Sequence, residues 1–289
     1  MTARTILLHL RLPFSVFLLP VFLFALTQSA APDGWRVAGV FFILHFLLYP
    51  ASNAYNSYFD KDEGSIGGLE APPPVDKELF YVAWALDVAA LGLGAYIGWP
   101  FVVYLLIYGF ISKAYSHPAI RLKKYPVLSW LIVSIFQGGF TYMMTLQAIN
   151  DIPVAGLLTP QVVLASALCT LNLLALYPIT QVYQHEEDAR RGDLTMSRLL
   201  GIRGTFISTA VIFSLSAIGF YGYFGNTTPF YLLLLFLFPA VAFFLRWCYL
   251  VWQDERRANF RFTMQMTLIA GLGLNFFFLV LWFLHLPVV

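Results

Sequence analysis

The sequence predicts an all-α membrane protein, a bundle of nine transmembrane helices, and three observations carry that expectation. Hydrophobic residues make up 60% of the chain and charged residues only 11%, where an ordinary soluble domain carries roughly a quarter of its residues as charges. Nine apolar runs are long enough to cross a hydrocarbon core about 30 Å thick, which takes about 20 residues at a rise of 1.5 Å each. The remaining charges gather in every second connection instead of being spread along the chain.

Taken in order, the first run covers about residues 12–30. Its basic start, Arg4 and Arg11, looks like the front of a signal peptide. The run continues past the length of a signal core, with no small-residue cleavage site before Pro32, so it is expected to be retained as a span. The second run, 37–55, leads without a break into a polar segment. The third and fourth, 80–98 and 100–117, are separated only by a tight turn around Gly98, Trp99 and Pro100, which predicts an antiparallel pair. Runs at 127–147, 160–182, 205–223, 229–250 and 264–286 complete the bundle, read as one integral membrane domain over 1–289.

Orientation follows from Lys and Arg in the short loops. Lys61 and Lys77, then Arg121, Lys123 and Lys124, then Arg190, Arg191, Arg198 and Arg203, then Arg256, Arg257 and Arg261 follow spans two, four, six and eight, whereas the opposite loops hold Arg36 alone. This places the N-terminus in the cytoplasm and the C-terminus, Leu286 to Val289, outside, in what is expected to be a bacterial inner membrane. Basic residues spread over short inner loops do not build a nucleic-acid groove. Cys169 and Cys248 both lie in apolar runs, which leaves no disulfide framework and no thiolate metal site. Neither a Gly-x-x-x-x-Gly-Lys phosphate loop nor a His-Glu-x-x-His zinc helix occurs.

Acidic residues are segregated too, and the charge rule for Lys and Arg does not explain them. The segment after span two carries Asp60, Asp62, Glu63, Glu70 and Asp76, and the segment after span six carries Glu186, Glu187, Asp188 and Asp193. If the second helix continues through Asp60, then Asn53, Asn56 and Asp60 share one face by spacings of three and four. Gln184 and Asp188 share a face in the same way, with Glu187 one turn beyond Tyr183. Polar faces at a membrane boundary are penalised by lipid, so both should turn into the bundle. Carboxylates brought together in this way repel one another unless a cation intervenes. The oxygen donors Asp60, Asp62, Glu63, Glu187 and Asp188 suit Mg²⁺, which binds through one or two carboxylates plus phosphate oxygens. Arg121, Lys123, Lys124 and Arg190 supply the guanidinium forks and point charges that hold phosphate. Asp87, alone in span three, calls for a partner on a neighbouring helix or a place near the wet interface.

At these residues the chain resembles the UbiA superfamily of intramembrane prenyltransferases. Asn56 and Asp60 match the first two positions of that family's Asn-x-x-x-Asp-x-x-x-Asp segment. The third falls on Gly64, with Asp62 or Glu63 to substitute. Gln184 stands at the first position of the second segment, Asp-x-x-x-Asp, Asp188 stands at its second, and Gly192 to Thr195 match the Gly-x-x-Thr stretch that follows. Tyr115, Ser116 and Lys123, Leu199 to Arg203, Asn259 to Met266, and Asn275 extend the resemblance over nearly the whole length.

The resemblance implies a UbiA-like nine-helix bundle and Mg²⁺-dependent transfer of an isoprenyl group from a prenyl diphosphate to an aromatic, quinone or lipid precursor, as in quinone biosynthesis. Asp60 and Asp188 would hold the metal, helped by Asp62, Glu63 or Glu187. Asn56, Gln184, Arg121, Lys123, Lys124 and Arg190 would bind the diphosphate, and Tyr115 or Tyr183 would face the cationic allylic carbon. His117 and His185 are proton acceptors within reach of the same end of the bundle. The departures at Ser57, where the family commonly has aspartate, and at Gly64 and Gln184 keep a second reading open, a non-catalytic transporter or prenyl-lipid-binding protein that retains the bundle. The expected partners are the prenyl diphosphate, an unidentified acceptor and membrane lipids.

Overall fold

The computed structural model describes residues 1–29 and 31–286, so the expected outer C-terminal residues 287–289 lie outside the described residues. Helices dominate. Among the described residues the one extended pairing is an isolated bridge between Ile66 and Leu69. This is the outcome lipid demands, because a spanning segment has to satisfy its backbone polar groups within itself.

The chain begins with α1 (Ala3–Leu10), capped by Thr2, whose hydroxyl accepts from the Thr5 N–H. A tight 3₁₀ stretch, Leu12–Phe17, leads into α2 (Leu19–Thr27). The two parts of this first span meet at 41°. Asp33 caps α3, which runs over Gly34–Asp60 with a π-helical stretch at Ile43–Leu48. The antiparallel pair expected next is α4 (Lys77–Ile97) and α5 (Trp99–Ser116), joined through Gly98. Then follow α6 (Pro126–Asn150), α7 (Pro160–Ile179), the short α8 (His185–Arg191), α9 (Met196–Phe224), α10 (Thr228–Gln253) and α11 (Phe260–Phe283).

By length and composition seven helical stretches are fit to cross a membrane, and eight if the bent first pair is one span. The remaining run of the nine expected is α5, whose 18 residues are diluted by Lys113, Tyr104, Tyr108 and Tyr115. Nine is therefore an approximate count.

The core sits where the first span, α3, α6 and α11 meet. Phe24 is buried there, stacked on Phe278 with ring centroids 4.7 Å apart and tilted against Tyr142. Asp87 finds its partner across the α4–α5 pair, where it takes the Lys113 ammonium as an ion pair, and that ammonium lies 5.0 Å from the Trp84 ring and 5.2 Å from Tyr55. The α6 and α7 helices also approach closely. A Cβ on Gly138 would fall 2.8 Å from the backbone of Cys169 and Thr170, and one on Gly139 would fall 2.8 Å from the Ser166 carbonyl oxygen. The Gly139 N–H donates to Thr170 Oγ1 at 3.1 Å. These two spans touch backbone to backbone.

Candidate active site

The two acidic segments end different kinds of helix. The α3 helix continues unbroken to Asp60, so Asn53, Asn56 and Asp60 do share its inward face. The α7 helix meets Pro178, which has no N–H to offer the Leu174 carbonyl. That carbonyl instead accepts from the Trp130 indole at 2.9 Å. The helix gives out at Ile179, a 3₁₀ turn spans Val182–Gln184, and α8 starts afresh at His185.

Both ends open onto one cavity of about 300 Å³, to which Asn56, Asp60, Asp62, Gln181, Gln184 and Asp188 contribute. Its walls continue into the bundle through apolar and aromatic side chains, among them Tyr49, Tyr108, Ile132, Phe136 and Leu173. Asp60 lies 2.8 Å from the Lys123 ammonium through Oδ1 and accepts from Ser116 Oγ at 3.3 Å through Oδ2. The ammonium is off the hydrogen-bonding direction of Oδ1, which keeps a lone pair unused. Lys123 also reaches Asp193 at 3.1 Å, and Asp193 is gripped by both nitrogens of the Arg121 fork at 2.9 Å. Burial works against the Lys123 charge, but Asp60 and Asp193 outweigh it and hold the ammonium above its ordinary range. Asp193 is pushed up by burial and pulled further down by Arg121 and Lys123, and the net direction is down.

Asp188 takes a hydrogen bond from Thr195 Oγ1 at 3.3 Å. Asp62 pairs with Arg191 at 2.5 Å, yet burial and the nearby Asp60 push its carboxyl up to about 6. Arg191 also bonds Glu187 at 2.7 Å and the Lys61 carbonyl at 2.9 Å.

Glu187 points at the loop after α3 and accepts the N–H groups of Glu63 at 2.9 Å and Gly64 at 3.0 Å. A side chain on Gly64 would collide with the Glu187 carboxylate. Gly64 is thus the counterpart of Glu187: an aspartate there would displace the clasp. The same loop is held by Gln184, whose amide donates to the Ser65 carbonyl at 3.1 Å, and by Met264, whose sulfur accepts the Gly68 N–H at 3.4 Å. Tyr115 and Tyr177 join hydroxyl to hydroxyl in the cavity wall, and Tyr183 lines it edge-on to Phe260.

The structure thus brings Asp60, Asp188, Asp62, Asn56, Gln184, Lys123, Tyr115 and Tyr183 to one cavity. Glu63, Lys124 and Arg190 are exposed, Glu187 is buried in its clasp, and Arg121 is engaged with Asp193; none of these five lines the cavity. His117 and His185 form local hydrogen bonds, to the Ala119 N–H and the Ser197 hydroxyl, and also stand outside the lining.

Two lining residues escaped the sequence reading. Gln181 is buried, and its Oε1 has no hydrogen-bond partner. Asn56 Oδ1 is likewise buried and unpartnered. The signal was present in the spacing: Gln181, Gln184 and Asp188 repeat the three-then-four interval of Asn53, Asn56 and Asp60. The second is Arg11, which reaches the cavity from the first span and which the sequence offers only as part of a basic start like that of a signal peptide.

Chemically the pocket offers three carboxylates, Asp60 and Asp62 from one stretch of chain and Asp188 from a distant one, and two amide oxygens with free lone pairs. All are hard oxygen donors of the kind that fit a small divalent cation. Among the described residues no three His, Cys, Asp or Glu side chains are grouped to hold an ion by themselves. A cation bound here would complete its shell with amide, water and ligand oxygens.

Solved structures with the same fold include a UbiA homologue from Archaeoglobus fulgidus bound to DMAPP and Mg²⁺, 16% identical, with a TM-score of 0.70 over 96% of this chain and 98% of that one. An apo UbiA homologue from Aeropyrum pernix K1 is 17% identical, with a TM-score of 0.69 over 91% and 97%. A digeranylgeranylglyceryl phosphate synthase is 16% identical, with a TM-score of 0.60 over 96% and 97%. No curated protein sequence matches the chain. The family model described as the UbiA prenyltransferase family matches residues 17–269, which takes in both acidic helix ends and most of the spans. On that match the chain belongs to the UbiA prenyltransferase family.

Proposed function

We propose that the protein transfers an isoprenyl group from a prenyl diphosphate to an aromatic, quinone or lipid precursor, with Mg²⁺ as cofactor. The observation that carries this reading is the shared cavity. Asp60 and Asp188 arrive from opposite helix ends at the mouth of a pocket whose deeper walls are apolar, so one ligand can place a charged head between carboxylates and a greasy tail among side chains. The A. fulgidus homologue, solved with DMAPP or with GPP and Mg²⁺, supports the same division.

Asp60, Asp188, Asn56 and Gln181 are the residues to hold Mg²⁺. When bound, the ion draws electron density from the diphosphate and eases its departure. Lys123, fixed by Asp60 and Asp193, stands as a permanent positive charge beside the leaving group. Tyr115, Tyr177 and Tyr183 present aromatic surface to the carbon that becomes positive as its bond to oxygen breaks. The loop clasped by Glu187, Arg191 and Gln184 lies over the mouth and keeps bulk water from capturing that carbon. The acceptor ring or hydroxyl then bonds to the carbon and gives up a proton. We further read the mouth as cytoplasmic, from the basic loops that surround it.

The test is purified protein with Mg²⁺, a panel of prenyl diphosphates and a panel of aromatic and lipid acceptors, read as acceptor-dependent release of diphosphate. Release with at least one pair is expected. Metal-dependent binding with no release from any pair would replace this reading with the non-catalytic lipid-binding one. No binding at all would sink both.

A further inference from the structure

A second cavity, of about 200 Å³, opens on the lipid-facing side of the α4–α5 pair, and no residue lines both it and the central one. The α5 helix is the partition. Its Tyr108 and Ser112 face the central cavity, whereas its Gly109 and Lys113 face this one. Leu48, Leu91 and Leu105 supply apolar wall, and the exposed Trp84, Leu106 and Phe110 form the rim. The charged groups in the lining are Asp87 and Lys113, joined as an ion pair.

That pair stands at an expensive depth. Asp87 is the middle residue of α4, Lys77–Ile97, so about 15 Å of helix lies on either side of it. A carboxylate near the centre of a span is among the costliest groups a membrane protein carries. Lys113 stands in the last turn of α5, from which a lysine stem ordinarily snorkels to the interface, and it reaches into the span to Asp87 instead. Two apolar side chains would ordinarily hold α4 to α5 at least as well. The pair therefore calls for a use other than cohesion.

Its bonding capacity is not exhausted. Asp87 receives Lys113 on Oδ2, and its Oδ1 accepts no hydrogen bond among the described residues. Both Oδ1 and the ammonium border Gly109, where a Cβ would stand 3.9 Å from the one and 4.0 Å from the other, so the absent side chain leaves the pair uncovered. An occupant that satisfies both needs an oxygen that donates to the carboxylate and accepts from the ammonium, which a hydroxyl does. The way in is through the lipid-facing rim, so the rest of the occupant is apolar. A cavity of about 150 Å³ holds benzene, and this one therefore fits a single substituted ring, with Trp84 at its rim to pack against it. We propose that this cavity is a membrane-side binding site for a phenolic ring. It lies outside the transfer reaction and stands whether or not that reading does.

The test is photolabelling of the full-length protein in lipid nanodiscs with a 4-alkylphenol that carries a diazirine in its chain, read as labelled peptides by mass spectrometry. Label is expected on α4 and α5 and is displaced by 4-octylphenol. Competition by 4-octylanisole, which lacks the O–H donor, should be roughly tenfold weaker, and by 4-octylcyclohexanol, which lacks the flat ring, roughly fivefold weaker. Leu106→Trp, which adds bulk at the rim and leaves both charges in place, should remove most of the label. Asp87→Asn should weaken displacement by 4-octylphenol by roughly tenfold. Should Asp87→Asn fail to fold with Lys113 unpaired, Leu106→Trp and the two competitors decide. Label spread evenly over all lipid-facing helices, label on α4 and α5 that survives Leu106→Trp, or equal competition by the anisole or the cyclohexanol would each overturn the proposal.

Discussion

The Asn53–Asp60 and Gln181–Asp188 segments carry the same interval of amide, amide and carboxylate, yet they meet the cavity differently. The first rides on an intact helix. Asn53 is tied to the Leu10 carbonyl at 3.2 Å, Asn56 leaves an oxygen free, and Asp60 is braced by Lys123 and Ser116. The second is cut by the break after Pro178, so Gln181 hangs from the loose end of α7 with its oxygen free. Gln184 and Glu187 turn instead to the loop that follows Asp60. One segment is a wall and the other a flap that fastens the lid, the loop that follows Asp60. Equal spacing in sequence therefore does not imply equal duty, because the break between Thr180 and His185 resets which residues face inward.

The largest expected effect treats the two carboxylates as equivalent halves. Asp60→Asn and Asp188→Asn should each cut diphosphate release on the order of 10²–10³-fold, with the fold kept by circular dichroism. Turnover at the wild-type level in either variant would break the symmetry at its most important point.

Next comes the brace on the wall side. Asp193 is almost fully buried between Arg121 and Lys123, and Asp193→Asn strands the Arg121 guanidinium and leaves Lys123 to Asp60 alone, at a cost of about 3 kcal/mol. Its folded carboxyl sits below the ordinary range, so this stability is present above the unfolded value of about 4 and is lost as pH falls through the lower folded value. Unfolding in detergent should show a wide gap between wild type and variant at pH 7 that narrows toward pH 3. A gap that does not change with pH would assign the effect to packing.

On the flap side, Glu187→Gln weakens the charged clasp on the Glu63 and Gly64 amides by about 2 kcal/mol, or roughly 30-fold faster hydrogen exchange there. Amides within α3 should be unaffected. Uniform protection would show that the lid is held by something other than Glu187.

The smallest effect sharpens the distinction between the two glutamines. Gln181→Leu should lower Mn²⁺ affinity, read by electron paramagnetic resonance in the presence of a prenyl thiodiphosphate, by about 1 kcal/mol or roughly fivefold. Gln184→Leu should leave that affinity in place and loosen the loop at Ser65. The reverse outcome would hand the inward role to Gln184.

The bundle was legible because lipid leaves few choices: a long apolar run has to become a helix, and the positions of all nine runs hold helix in the structure. What the runs did not disclose was the bend at Leu18, since hydropathy continues smoothly across it. The meeting of Asp60 and Asp188 was legible from their helix-end positions. The duty of Glu187 and the outward placement of Lys124 and Arg190 were not, because spacing gives the face of a helix and not the direction of a loop. Gln181 was obscured by extending one helical period across Gln184 to Asp188, where Pro178 had already ended the helix. The absence of an aspartate at Gly64 looked like a lost ligand. In three dimensions it is the space that the Glu187 carboxylate fills.

The contact of α6 with α7 at Gly138 and Gly139 has a bearing on traffic. Side chains can swing aside to let a hydrocarbon chain slip between two spans, but main chain cannot, and at Gly138 the main chain of Cys169 and Thr170 lies directly against the glycine. That seam is sealed to a migrating lipid, so a prenylated product has to slide out into the bilayer through a different flank of the barrel of helices.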